Sequence, residues 1–424
     1  MLSRYIAAIK SHISFDNIFL HNIIWSGLGY GGRLLLQAAY FILVARILGS
    51  ANFGLYSGVL GLVSIFVPFA AWGSGLILIK HVSREPQSFS LYWGTALTVT
   101  LLVGSLLCIA VIGLSAFIFS PQIAIALVLP VAIGDLFGIR YAELSGQAFQ
   151  AFQRLSRTSL IWVLFSCLRL SAAVLLFILP IDKSLNLWVV LYMTSGLLSG
   201  IISLFWVYKE LGKGKIGVTG MRGEWRDGFY FSVSTSASGV YNDLDKTMLS
   251  RLSSDVIAGE YSAAYRLLDA VYIPVRAIVM SSFPRFFQAG KNGLKDAVRY
   301  AGRLIPVTIV ISGLAWSAMV LIAPVLPRIL GADYVLTSKI VIWLGPILFF
   351  RSIHNLLANT LTGADYIGLR AAVQIVIALL NLVLNLLWIP AYGWIGAVWS
   401  SLLSDGGLVV LLFILIFFLN QKKS

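Results

Sequence analysis

Twelve apolar stretches separated by short polar connections run along the chain and predict a bundle of membrane-spanning helices. They fall at about 22–45, 53–79, 91–117, 123–144, 160–179 and 187–208, then at 229–249, 259–287, 304–325, 337–362, 371–389 and 394–419. Most reach the roughly 17 to 25 residues that carry an α-helix across a bilayer core. The seventh, FYFSVSTSASGVYNDLDKTML, is far more polar than the rest. Parity keeps it in the count. Without a span there, the basic stretch before it and the basic connection around Lys291, Lys295, Arg299 and Arg303 would face opposite sides of the membrane. A weakly apolar span must be shielded, so this helix is expected to line the bundle interior or a watery cavity.

Between the sixth and seventh stretches lies KELGKGKIGVTGMRGEWR, Lys209 to Arg226, with five cations (Lys209, Lys213, Lys215, Arg222, Arg226) among its glycines. It reads as a solvated, mobile linker. It divides the chain into an N-terminal six-helix half, 1–208, a basic connection, 209–228, and a C-terminal six-helix half, 229–424. The halves look like copies. Arg46, Gly54, Tyr56 and Ser57 recur as Arg251, Gly259, Tyr261 and Ser262, and both sets sit in the turn between the first two spans of their half. Duplicated helix sets about a shared axis are a common transporter plan.

Composition narrows the class. A mean hydropathy of +0.90, with 59% hydrophobic and 11% charged residues, excludes a soluble domain with one buried core. The net charge of +14 would raise the question of nucleic acid, but its distribution answers it. Eighteen cations fall in connections on the linker's side and four (Arg46, Lys183, Arg251, Arg328) on the other. The positive-inside rule then places the linker and both termini in the cytoplasm, with no nucleic-acid partner implied. The first twenty residues lack the apolar core and cleavage site of a signal peptide. Cys108 and Cys167 both lie inside apolar segments, so no disulfide framework is indicated.

Chemistry is concentrated within the spans. An ionisable group near the bilayer centre costs about 2.5 to 3.5 kcal/mol, so each asks for a partner or a polar cavity. Arg33, Arg169, Arg276 and Arg351 fall near mid-span, two in each half, and Asp135 and Asp405 are the acids at depth. Arg140 and Glu143, Asp243 and Lys246, and Arg266 and Asp269 are spaced i, i+3 and can neutralise each other on one helix face. Arg351 is extended by His354, Asn355 and Asn359 into a polar stripe that faces a cavity or another helix. Asp243 and Asp245, on the polar seventh span, are candidates for binding a coupling proton or sodium ion. The four histidines are scattered, which suggests no metal site, and there is no phosphate-binding loop of the GxxxxGK[ST] type and no GxSxG element. Catalysis and a bound cofactor are not expected.

At residues 45–57, ARILGSANFGLYS, the chain resembles the bacterial polysaccharide flippases, which carry LG and then FGxY after their first helix, here Leu48, Gly49, Phe53, Gly54 and Tyr56. These positions are expected to be structural, a tight turn and a tyrosine at the membrane interface. The resemblance implies an all-α polytopic membrane protein of the multidrug, oligosaccharidyl-lipid and polysaccharide transporter superfamily. Its twelve transmembrane helices would form two duplicated six-helix lobes around a central cavity that opens alternately inward and outward. The related peptidoglycan-precursor flippases usually have fourteen spans. The function implied is translocation of an undecaprenyl-pyrophosphate-linked oligosaccharide, such as an O-antigen repeat unit, from the cytoplasmic to the periplasmic leaflet of the bacterial inner membrane. Its partners would be that lipid-linked oligosaccharide, membrane lipids, a proton or sodium ion, and the polysaccharide assembly machinery. The mid-membrane arginines suit a pyrophosphate. One alternative is a cation-coupled multidrug exporter of the same fold, which an excess of buried cations disfavours. Another is a membrane polysaccharide polymerase or acyltransferase; polymerases of that sort carry a large periplasmic loop, and no outer connection here exceeds roughly a dozen residues.

Overall fold

The computed structural model describes residues 17–178, 184–291 and 293–421, and among them it is helical with no strands. Arg4, Lys10, Lys183, Lys422 and Lys423 of the charge count lie outside the described residues. The first two predicted spans form one continuous element, α1 (Asn17–Ala70), kinked at Gly49, where φ is 71° and ψ 171°. Only glycine adopts that backbone without strain, so the LG pair makes the expected turn. After left-handed Trp72 (φ 47°) and Gly73 (φ 69°), α2 (Ser74–Val82) continues the second span. Then follow α3 (Phe89–Ile118), α4 (Pro121–Ala151), α5 (Leu155–Ile178) and α6 (Leu185–Leu211). Beyond the linker come α7 (Trp225–Leu252), α8 (Asp255–Val271) and α9 (Ile273–Lys291), the last two broken just ahead of Pro274. The chain ends in α10 (Leu294–Ile322), α11 (Val335–Leu344), α12 (Ile347–Gly363), α13 (Ile367–Tyr392) and α14 (Trp394–Gln421).

Among the described residues, eight helices are long and apolar enough to cross a membrane, or nine when the pair bent by 49° around 345–346 is taken as one span. The kink at Gly49 divides one of these into two crossings. The helices α7 and α8 with α9 are too polar to pass on composition, so the tally is consistent with twelve crossings.

The polar α7 is shielded by its neighbour. It packs along the second half of α1, where Thr247 Oγ1 donates to the Gly58 carbonyl (2.6 Å), Ser236 Oγ to that of Ile65 (2.7 Å) and Ser232 Oγ to that of Pro68 (3.1 Å). Gly58 and Gly61 leave no side chain between the helices; a Cβ on Gly61 would fall 2.5 Å from the Asp243 carbonyl oxygen. Small residues that let backbones approach are the usual device of helix packing in lipid. Contacts between the two halves run mainly through α1, against α7 and α8.

The linker departs from expectation. It is a fixed strap along α3 and not a mobile segment. Lys215 N donates to the Ser90 carbonyl (2.7 Å), Gly217 N to Thr98 Oγ1 (3.2 Å) and Gly220 N to Thr95 Oγ1 (3.2 Å), while Met221 is buried. Glycine on both sides is the reason: a Cβ on Gly94 would fall 2.0 Å from the Lys215 carbonyl oxygen. Tyr56 likewise belongs to the core. Only 2% exposed, it packs on Trp188 and Tyr192 with ring centroids 5.9 and 5.6 Å away, instead of sitting at the membrane interface.

Candidate functional site

Chain direction defines two ends, one carrying the linker and one opposite it. At the far end Tyr334 OH donates to the Ala45 carbonyl (2.9 Å), tying the start of α11 to the kink in α1. From the level of Asp243 toward the linker end, a cavity of about 550 Å³ opens between α7, α8, α9 and α12. The lining of α8 and α9 is a stripe. Tyr265, Asp269, Tyr272 and Arg276 recur at intervals of four, three and four, which is one helix face. Opposite them α12 presents Arg351, His354, Asn355 and Asn359.

Asp269 joins the two sides. Its Oδ1 lies 2.9 Å from Arg351 Nη1 and 4.0 Å from Arg276 Nη2. The Arg351 guanidinium also sits 5.0 Å from the Tyr265 ring, and Lys246 Nζ lies 4.7 Å from the same ring while reaching Asp243 Oδ1 at 2.5 Å. Asn355 Nδ2 donates to Tyr272 OH (3.1 Å). His354 Nε2 is 2.8 Å from Asp405 Oδ1, so the buried acid of α14 holds that imidazole. Arg370, at the linker end, donates to Thr362 Oγ1 (2.7 Å) and completes the lining. Lys246, Arg276, Arg351 and Arg370 thus face two carboxylates, Asp243 and Asp269, and the cavity carries a formal excess of positive charge. Arginines presented in this way offer the paired N–H donors that match phosphate oxygens.

Asp243 also lines a second cavity of about 450 Å³, against α1, α2 and α4, and a third of about 240 Å³ between the two. The second has the opposite balance, with Asp135, Glu143 and Asp243 against Arg140. Its geometry begins with four glycines. Gly134 and Gly138 on α4 pack on Gly196 and Gly200 on α6, where a Cβ on Gly138 would fall 2.5 Å from the Gly196 carbonyl carbon. This close approach places Tyr192 OH 2.7 Å from Asp135 Oδ1, within a π-helical turn of α4 at 134–139. Such turns recur at functional sites.

The remaining sequence-chosen residues lie apart from the first cavity. Arg169 is buried in the core of the N-terminal half, donates to the Tyr192 carbonyl (2.5 Å) and stacks on the Tyr192 ring at 3.4 Å. Arg33 stacks on Trp162 at 4.2 Å. Asp245 points away from the three cavities, accepting from Tyr261 OH (2.7 Å) and the Lys246 backbone N–H (2.8 Å). Two of the i, i+3 pairs form, Arg140 with Glu143 at 2.8 Å and Lys246 with Asp243. The third does not: Asp269 turns to Arg351, and Arg266 lines the third cavity with its guanidinium 5.7 Å from the Phe41 ring. In the sequence, i, i+3 spacing to an opposite charge masks Asp269 and Lys246, and position in a connection masks Arg370. The helical spacing from Tyr265 to Arg276 is the signal that finds the α8–α9 face.

Residues 19–289 match the family described as polysaccharide biosynthesis protein. The chain is 21% identical over 398 residues to a probable low-salt glycan biosynthesis flippase of Haloferax volcanii, covering 91% of this chain and 79% of that protein. It is 23% identical over 348 residues to a putative O-antigen transporter of Escherichia coli, covering 79% and 81%. Among solved structures, the lipid II flippase MurJ in an inward closed conformation superposes with a TM-score of 0.75 at 15% identity, over 93% of this chain and 87% of that one. The family match spans well over half of the chain, so this multi-span membrane protein belongs to the polysaccharide biosynthesis protein family.

Proposed function

We propose that the protein is a flippase carrying an undecaprenyl-pyrophosphate-linked oligosaccharide, an O-antigen or related repeat unit, from the cytoplasmic to the periplasmic leaflet of a bacterial inner membrane, with no covalent step. The observation that carries this reading is the cavity in which Arg276 and Arg351 share Asp269 while Lys246 and Arg370 complete the wall. In the unloaded cavity the carboxylate keeps the guanidiniums within reach of one another. An entering pyrophosphate takes over as their partner, with each charge-assisted contact worth about 1.5 to 3 kcal/mol. Arg33 and Arg169, which stack on Trp162 and Tyr192 outside this cavity, act in another stage of the cycle. The positive-inside bias makes the linker end cytoplasmic, with both termini on that side, so the cavity opens to the leaflet where the substrate is made. A proton or sodium ion is the proposed driving partner. Asp243, common to all three cavities, and the buried Asp245 are its candidate sites. The released oligosaccharide passes to the polysaccharide assembly machinery.

Deletion of the gene tests the reading. Surface polysaccharide should be lost, and lipid-linked oligosaccharide should accumulate in the cytoplasmic leaflet. An unchanged leaflet distribution would overturn it.

A further inference from the structure

Resting on that reading, we infer that the second cavity is a sugar-binding subsite, so that one substrate is held across the two halves, pyrophosphate against α9 and α12 and the first sugars against α2 and α4. The two cavities meet at Asp243 but differ in chemistry. The first is cationic. The second sets Asp135 and Glu143 against one cation, Arg140, whose Nη1 is already held by Glu143 at 2.8 Å and whose Nη2 donates to the Val67 carbonyl at 2.7 Å. A pyrophosphate is repelled there. An uncharged sugar is not: its hydroxyls donate to carboxylate oxygens and both donate to and accept from an amide.

The amide is Gln147. It lines this cavity, and among the described residues it makes no hydrogen bond. It reaches its position because residue 75 is glycine: a Cβ there would fall 1.7 Å from Gln147 Oε1. Val67, Pro68 and Ile139 supply apolar wall for the C–H faces of a sugar ring. At about 450 Å³ the volume is within the range of about 300 to 1,000 Å³ typical of small-ligand sites. Asp135, Glu143 and Gln147 are then specificity residues, acting on the glycan and not on the lipid anchor.

The test uses purified full-length protein in lipid nanodiscs and two probes, synthetic undecaprenyl pyrophosphate and the lipid-linked oligosaccharide extracted from the host's own membranes. Gln147→Ala and Glu143→Gln should each weaken binding of the glycosylated probe, about two- to tenfold for the neutral amide and more for the carboxylate. Neither should change affinity for undecaprenyl pyrophosphate, which also serves as the check on folding. Arg351→Ala should weaken both probes. Equal loss on the two probes, or no loss on either, overturns the subsite while leaving the flippase reading intact. A lipophilic cation such as ethidium that binds more tightly than the glycosylated probe, and is lost in Glu143→Gln, would assign the cavity to cationic substrates instead. Failure of the wild-type protein to bind either lipid probe removes the proposed function and the subsite with it.

Discussion

Gly54 and Gly259, at matching positions in the duplicated windows, meet backbone to backbone at the far end of the molecule. A Cβ on Gly54 would fall 1.6 Å from the Asp255 carbonyl oxygen and 2.5 Å from Gly259 N, and one on Gly259 would fall 1.9 Å from the Ser50 carbonyl oxygen. The repeat therefore marks the seam where the two halves close, which explains why glycine stands in both copies. Gly54→Ala or Gly259→Ala must part that seam, at a cost of about 1 to 3 kcal/mol for overpacking. In a chain whose Cys108 and Cys167 are replaced by serine, a cysteine at buried Ser57 should then label faster with an impermeant thiol reagent from the far side. Unchanged labelling in both glycine variants would show that the seam is not the outer closure.

Arg276 and Arg351 should respond to charge and to geometry separately. Alanine at either is expected to weaken lipid-pyrophosphate binding by about ten- to a hundredfold, and lysine should retain part of it. Arg351 is 7% exposed and paired with Asp269, so its alanine variant also risks about 3 to 5 kcal/mol of stability, and binding must be compared at equal folded protein. Full binding in both alanine variants would place the pyrophosphate elsewhere.

Asp243 and Asp245 are two residues apart yet answer to different surroundings. Asp243→Asn should abolish or reshape transport at near-normal melting temperature, because its carboxylate borders the cavities and is 40% exposed. Asp245→Asn replaces a fully buried acceptor of three hydrogen bonds, from Tyr261, Ser401 and the Lys246 backbone, and should lower stability by about 1 to 3 kcal/mol. Thermal unfolding in detergent together with transport at several ion gradients separates them. Equal melting and equal transport in both variants would remove either acid from the coupling scheme.

Glu224 fastens the start of α7 to the end of α2, with its Oε1 2.9 Å from Lys80 Nζ and 3.0 Å from His81 Nε2. Hydrogen bonding to Lys80 first, and to His81 next, holds its carboxyl below the ordinary carboxylate range. A lowered folded-state value means that the contribution is complete above the unfolded pKa of about 4.3 and is lost as pH falls through the lowered value. The melting difference between wild type and Glu224→Gln should be present at pH 7 and still present at about pH 5, and shrink at more acid pH. Lys80 is 46% exposed, so the difference should not exceed about 1 kcal/mol. A difference that does not shrink below about pH 4, where the carboxylate protonates, contradicts the latch.

Topology follows from the charge bias and from α7. Reporter fusions after Gly217 and after Lys291 should both report cytoplasm, and fusions near Ser120 and Ala332 should report periplasm. Opposite answers at Gly217 and Lys291 would mean that α7 does not cross.

The spans, their order and the special glycines were legible in the sequence because each depends on local physics. A backbone in hydrocarbon must satisfy its own hydrogen bonds, so apolar length predicts a helix without knowledge of its neighbours, and Gly49 announces its turn by what only glycine can adopt. Arg276 and Arg351, with the stripe from His354 to Asn359, were found the same way, by cost at depth and by helical spacing. What only the tertiary structure decided is which partner each charge takes. Spacing allowed Asp269 to pair with Arg266, but Arg351 approaches it from α12 to 2.9 Å and takes the bond, while Arg169, equally deep in the sequence, folds onto Tyr192 and leaves the first cavity. The linker is the same case: its composition describes mobility, and it is held by the Ser90, Thr95 and Thr98 oxygens of a helix more than a hundred residues away. Electrostatic and hydrogen-bond partners are chosen through space among all groups within a few ångströms, and that set exists only once the helices have packed.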